Sequence, residues 1–252
     1  IHIKKRIEQH LRNNKSAKGL QMSQEICRVE YELTGSELIA MLRESVLIKE
    51  HKPIYNRKLR KSLFPYGLYD QQDFDGYIRL KIENSAKQTA EPLIQFTSKK
   101  EAQHYLETVA ERHELCQKLC YLYSTQSACF HYTIQQCNGA CVQEETPAAY
   151  NERVQRFIDQ VQFSGSSFFI IDKGRNKGEK SVVWIDKGIY KGFGYAPFHF
   201  HGKEPMYWAR YINTEKENRD NKSIVSYFLR SDKNLKIVQL NALETLWAST
   251  TG

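Results

Sequence analysis

The sequence has no apolar run approaching the roughly 18 residues that a membrane-spanning helix needs, which excludes an integral membrane protein built on such helices. It has no Met at its first position and opens on Ile1. The natural start is therefore expected upstream, and the absence of a targeting segment decides little. Pairs of Cys separated by two residues, usual in zinc ribbons, are absent. Internal repeats and long low-complexity tracts are absent too. Cys itself is nearly confined to one stretch: five of the six lie between Cys116 and Cys141, and only Cys27 falls outside.

What is present suits a folded chain. At 252 residues, 40% hydrophobic and 26% charged, there is material for one large domain or two to three small ones. The net charge is +8, and residues 1–61 carry fourteen Lys and Arg against seven Asp and Glu. A basic first quarter suits a polyanion, because clustered cations release counterions from a phosphate backbone; a solvated basic face is the plainer alternative. The crowded Cys suggest a ligand set, with disulfides as the alternative; for a basic chain that binds nucleic acid, free thiols in a reducing compartment, and hence a cytoplasmic location, are expected.

Periodicity marks the elements. "IHIKKRIEQHLRNN" repeats Ile3, Ile7 and Leu11 as a helix does. "ICRVEYEL", Ile26 to Leu33, alternates as a half-buried strand. "ELIAMLRESVLIKEHKPIYN" reads as a helix with Thr34 and Glu37 spaced as a capping box, ended by Pro53. Residues 57–74 are basic, then aromatic and turn-like, before a strand in "GYIRLKIEN". Ser98 and Glu101 cap a further helix that runs into the Cys-rich stretch, and Thr146–Pro147 opens another. From Phe163 onward, apolar runs split by Gly and Lys turns predict a small antiparallel sheet followed by a helix.

Glu44 stands out. Its helical neighbours, Ala40, Met41, Leu47 and Ile48, are all apolar, and an ionised carboxylate in such a setting asks for a cation, a metal or strong donors.

Arg6 on a basic helix, Glu44 on a later one and Asn56 after the break in "HKPIYN" together resemble the GIY-YIG nuclease family, most closely its UvrC-like members. The resemblance covers residues 1 to about 68, with "SLFPYGLY" similar to the segment that follows the Asn. It implies a metal-dependent DNA endonuclease in which Arg6 stabilises charge on the scissile phosphate, Glu44 holds one Mg²⁺ or Mn²⁺, and Asn56 supports the site. His10, one turn after Arg6, is a candidate for proton transfer, with surface or packing as the plainer role. Lys4, Lys5, Arg12, Arg57, Lys58 and Arg60 are candidate DNA contacts. The family's hairpin carrying the GIY and YIG triplets is expected to precede Ile1. The literal "GIY" at Gly188–Tyr190 follows the Arg, Glu and Asn, and reads as a hairpin turn.

The Cys-rich stretch resembles the region that follows the nuclease domain in UvrC-like proteins. The resemblance implies a 4Fe-4S cluster on Cys116, Cys129, Cys137 and Cys141, with Cys120 close enough to replace Cys116. Four thiolates suit zinc as well. Cys27 is expected to be packed in its strand. His199 and His201 are a weak metal pair, and Trp184, Trp208 and Trp247 are expected to pack. The tail is similar to that of fusion proteins in which a 3′-5′ exonuclease domain precedes the GIY-YIG module.

The expected fold class is α+β, in four parts: a partial GIY-YIG domain over 1–68, a connecting strand and helix over 69–112, a helical Cys-rich cluster module over 113–162, and a C-terminal sheet with helix over 163–252. The expected partner is DNA, in repair or processing, and no membrane. The rival expectation is a non-catalytic nucleic-acid-binding module with a structural metal site.

Overall fold

The computed structural model of the protein describes residues 3–12, 16–56, 63–161, 165–197, 205–231 and 235–240. It is an α+β chain with two antiparallel sheets, one of three strands and one of five. Among the described residues no helix is long and apolar enough to cross a membrane.

Three helices come first: α1 (Ile3–Leu11), α2 (Ala17–Glu25) and α3 (Glu37–His51). The basic α1 buries none of its residues. Ser36, not Thr34, is the N-cap of α3. Its hydroxyl accepts from the Ile39 N–H at 3.3 Å, while Thr34 donates to the Ser36 carbonyl. Lys52 closes the helix in a left-handed conformation (φ 43°), donating to the Ile48 carbonyl. Pro53 follows and bars further helix.

Between α2 and α3 the expected strand does not form. Residues 26–34 are irregular, and Val29, Tyr31 and Leu33 are 52%, 74% and 57% exposed. Alternation fixes which face would be buried, but a strand also needs a neighbour for its N–H and C=O groups, and no described segment pairs with it. Cys27 is accordingly exposed rather than packed.

The middle of the chain is built on β1 (Tyr66–Gln72), β2 (Ile78–Asn84) and β3 (Ile94–Phe96), in the order β2-β1-β3. The stretch that reads as turn-like at 66–72 is thus the central strand, with Tyr66 opposite Asn84 on one side and Phe96 on the other. A glycine inside a strand often marks a close approach. At Gly67 a Cβ would lie 2.7 Å from the Tyr69 ring and 2.8 Å from Pro92. Two helices cover the sheet. In α4 (Lys99–Arg112) the Ser98 hydroxyl accepts from the Glu101 N–H at 3.2 Å, the cap read from the sequence. In α6 (Pro147–Val161), which follows the single turn of α5 (Phe130–Thr133), Tyr150, Val154, Phe157 and Ile158 form the buried stripe of an amphipathic helix. Cys116, Cys120, Cys129 and Cys137 are part of this same core, beside Leu68, Leu80 and Tyr150.

The C-terminal sheet has the order β7-β6-β5-β4-β8, from β4 (Phe168–Lys173), β5 (Glu179–Asp186), β6 (Ile189–Pro197), β7 (Ile212–Thr214) and β8 (Lys236–Gln239). The "GIY" at 188–190 lies at its β5–β6 hairpin. Lys187 and Gly188 both take positive φ, 51° and 79°. A two-residue primed turn requires this. Tyr190 is buried and donates to Glu215 at 2.9 Å. Gly194 lets β7 come close, since a Cβ there would sit 1.6 Å from the Tyr211 carbonyl oxygen. Trp184 and Trp208 pack on Phe169, as expected.

Packing does not follow the expected division at residue 68. Leu38, Ile39 and Leu42 of α3 share one core with Phe168, Ile170 and Val183 of the sheet and with Ile224, Val225 and Phe228 of α7 (Arg219–Ser231). The helix that carries Glu44 therefore packs with α7 and the C-terminal sheet.

Candidate functional site

Glu44 is exposed. This corrects the apolar setting expected from its neighbours. The buried face of α3 centres on Leu38, Leu42 and Ser45, flanked by Ile39 and Ile48, and the helical period turns Glu44 well away from it. Ala40, Met41 and Leu47 are only partly buried, so they form no closed apolar wall. Burial alone therefore makes no demand for a partner.

Arg6, His10, Lys4, Lys5 and Arg12 are all exposed, on or next to α1. Asn56 is half-buried, its N–H donating to the Pro53 carbonyl at 3.2 Å. Next to it, the Tyr55 hydroxyl donates to Glu25 at 2.5 Å, tying the end of α3 to the end of α2. Among the described residues no side-chain hydrogen bond or ion pair joins Arg6, His10, Glu44 and Asn56. Arg57, Lys58, Arg60, His199, His201 and Trp247 lie outside the described residues.

The thiols are the residues that the fold does bring together. The sulfurs of Cys116, Cys129 and Cys137 all lie within 4.8 Å of one another, and those of Cys116 and Cys129 are 3.8 Å apart. All three are buried, and each of the six Cys is a free thiol. Cys141, half-buried, lies alongside, its sulfur accepting from the Cys129 N–H at 3.4 Å. Three short devices make the convergence: the loop after α4, the single turn of α5 that begins just past Cys129, and a left-handed turn at Gly139 (φ 84°) that follows Cys137.

The electrostatics are those of a site prepared for a cation. Cys137 is held down to about 6 by its interaction with the neighbouring Cys116 thiol, against the opposing effect of burial, with the N–H groups of Gly139 and Ala140 also helping; donors facing a thiolate favour the charged form. Cys116 is pushed up by the same interaction with Cys137 and by burial, and burial also raises Cys129. Cys120, fully enclosed beside Tyr150, is pushed up to about 12 by burial. Cys116 and Cys129 thus stay neutral until a metal displaces their protons, so loading releases protons and weakens as pH falls.

The geometry fits a metal. A tetrahedral ion with metal–sulfur bonds of about 2.3 Å sets its sulfurs roughly 3.8 Å apart, which is the Cys116–Cys129 separation. A four-iron cluster takes each thiolate on a different iron, and the same three thiols with Cys141 would have to spread to receive it.

A buried ion pair that sequence reasoning missed holds this module in place. Arg153 of α6 grips Glu145 with both terminal guanidinium nitrogens, the Nη2–Oε2 bond being 2.8 Å. The same guanidinium donates to the carbonyls of His113 and Glu114 at the end of α4. Tyr77 of the sheet donates to the Glu145 carbonyl at 2.5 Å. Glu145 and Arg153 are eight residues apart, but their meeting depends on the turn before Pro147, which no periodicity encodes. Glu145→Gln leaves a largely enclosed guanidinium without its anion, and we expect a loss of about 3–5 kcal/mol, read as a lowered thermal midpoint by circular dichroism.

Comparison with known proteins gives the site a context. Residues 1–57 match the family model for the UvrC-like GIY-YIG domain, and residues 65–160 match that for the UvrC/Cho excinuclease middle domain. An excinuclease cho of Salmonella typhi is 30% identical over 168 residues, covering 64% of this chain and 55% of that protein. A UvrABC system protein C of Malacoplasma penetrans is 28% identical over 199 residues (75% of this chain, 32% of that one). Another, from Alkaliphilus metalliredigens, is 24% identical over 91% of this chain and 43% of its own length. The chain spans about half the length, or less, of these curated relatives. No solved structure matches it.

Proposed function

We propose that the protein, whose residues 1–57 match the UvrC-like GIY-YIG domain and residues 65–160 the UvrC/Cho excinuclease middle domain, is a metal-dependent DNA endonuclease of nucleotide excision repair. One observation carries this reading: Arg6, Glu44 and Asn56 all fall inside the matched stretch 1–57, with Glu44 open to solvent on a helix whose opposite face is fixed in a core. An exposed carboxylate on a rigid support is accessible to both an ion and a DNA strand.

In this account Glu44 would hold one Mg²⁺ or Mn²⁺ ion, which when bound would supply Lewis-acid stabilisation of the phosphoryl oxygen and the leaving group. Arg6 meets the charge that develops on the phosphate, and Asn56 keeps the site in register by hydrogen bonding. His10, on the same face as Arg6, accepts or returns a proton. Lys4, Lys5, Arg12, Arg57, Lys58 and Arg60 contact the DNA backbone and supply salt-dependent affinity. The domain division at 68, 112 and 162 is proposed as the working division of roles.

For the thiol centre we propose a 4Fe-4S cluster on Cys116, Cys129, Cys137 and Cys141, supported by the match of residues 65–160 to the excinuclease middle domain. The second reading, one zinc ion, is favoured by the 3.8 Å Cys116–Cys129 separation.

The test of the main reading is conversion of supercoiled plasmid to nicked circles, using the protein together with whatever its gene encodes upstream of Ile1. Nicking that requires Mg²⁺ or Mn²⁺ and stops with chelator supports it. Tight DNA binding with no nicking in either metal would leave the non-catalytic binding module.

A further inference from the structure

A cavity of about 380 Å³ opens where the middle domain meets the C-terminal unit, between α4, α6 and α7. It takes no part in the chemistry assigned above to Glu44 or to the thiols. Its walls divide by character. Ile94, Val109, Phe157 and Leu229 are apolar, Arg112, His113 and Arg230 are basic, and no acidic residue lines it among the described residues.

Arg230 is the telling residue. Its guanidinium sits 5.0 Å from the Phe96 ring centre and 5.5 Å from that of Tyr105. Nη2 donates to the Gln95 carbonyl at 3.1 Å, whereas Nη1 is buried with no hydrogen-bond partner among the described residues. Aromatic faces and one carbonyl offset part of the cost of enclosing a cation, but an enclosed guanidinium normally faces an anion, and no ion pair involves Arg230 or Arg112 among the described residues. Burial and the neighbouring Arg112 and Arg156 also hold the His113 pKa down. The ring is then largely neutral near pH 7, so the positive charge of the cavity resides on the two arginines.

We propose that this cavity binds a nucleotide by its phosphate, either as a free mononucleotide or as the phosphorylated end of a DNA strand. Arg230 contributes its positive charge from within the wall, since Nη2 is held by the Gln95 carbonyl and Nη1 is enclosed; the fork of donors that matches a phosphate comes from the exposed guanidinium of Arg112. Arg112 supplies a second cation from α4. The apolar walls and the rings of Tyr105 and Phe157 give a base surfaces to rest on, and Thr108, Gln160 and Ser226 offer hydrogen-bonding groups for sugar and base edges. The volume lies in the range of small-ligand pockets. The site is independent of cleavage at Glu44 and stands or falls separately from it.

Titration calorimetry of the full chain with dAMP tests the proposal, alongside deoxyadenosine, a 5′-phosphorylated twelve-nucleotide single strand and the same strand without phosphate. Expected is saturable one-to-one binding of dAMP or of the phosphorylated strand, at least tenfold tighter than its unphosphorylated counterpart. Tight dAMP identifies a free nucleotide as the ligand; a phosphorylated strand that binds while dAMP does not identifies a strand end. Arg230→Met and Arg112→Gln should each weaken binding at least tenfold. If Arg230→Met fails to fold, the Arg112→Gln result decides. No phosphate preference in either pair, or unchanged affinity in the folded variants, would overturn the proposal.

Discussion

Glu44→Gln abolishes Mg²⁺-dependent nicking while leaving DNA affinity within about twofold of wild type: this is the expected result at the proposed nuclease site. The substitution keeps size and polarity and removes the charge that holds the ion. Loss of a group that stabilises transition-state charge lowers rates by about 10²–10³, and loss of the ion itself removes several kcal/mol of Lewis-acid stabilisation, so a fall of at least about 10² is expected. Exposure makes the outcome readable. Surface substitutions away from caps and networks change stability by only about 0.5 kcal/mol, and Glu44 is exposed, so thermal unfolding should be unmoved. Nicking that survives Glu44→Gln removes this residue from the metal site.

The second large effect is expected at the thiols. Cys137→Ser takes away the thiol that Cys116 and two backbone N–H groups already hold as an anion, leaving a centre whose remaining buried sulfurs are hard to ionise. Metal content should fall to near zero. Metal binding contributes directly to folding where the site exists only in the folded chain, and here three of the sulfurs belong to the core of the middle domain. A loss of several kcal/mol corresponds to a drop of roughly 10 °C or more for a chain of this size. Cys27→Ser is the control, because Cys27 is exposed and remote from the centre in sequence; it should leave both metal and midpoint unchanged. A Cys137→Ser protein that keeps its metal would place the ion elsewhere.

Local signals were legible where the chemistry is local. Ser98 and Glu101 announce α4, Thr146 and Pro147 announce α6, and the Lys187–Gly188 turn separates a chance "GIY" from a catalytic triplet, because each depends on residues within a turn of one another. The crowding of Cys between 116 and 141 likewise marked the centre, though which three sulfurs converge depends on the Gly139 turn and the burial of Cys129. The misreadings share one cause: the deciding partner is distant. Ile26–Leu33 alternates as a strand but has no described neighbour. Tyr66–Gln72 opens beside Pro65 and Gly67, which suggest a turn, yet it is the central strand because 78–84 and 94–96 flank it. Glu44 looked enclosed because its four neighbours are apolar, but the face that α3 buries was chosen by the C-terminal sheet more than a hundred residues later. The Glu145–Arg153 pair and the Arg230 cavity are likewise products of tertiary packing.

Elemental analysis of anaerobically purified protein tests most directly the claim that the thiols form a metal centre within the middle-domain core. The account predicts brown protein with about four iron atoms and matching sulfide per chain, all lost in Cys137→Ser. Colourless protein with one zinc per chain would keep the centre and overturn the cluster. Protein that folds fully with neither metal would contradict the centre itself.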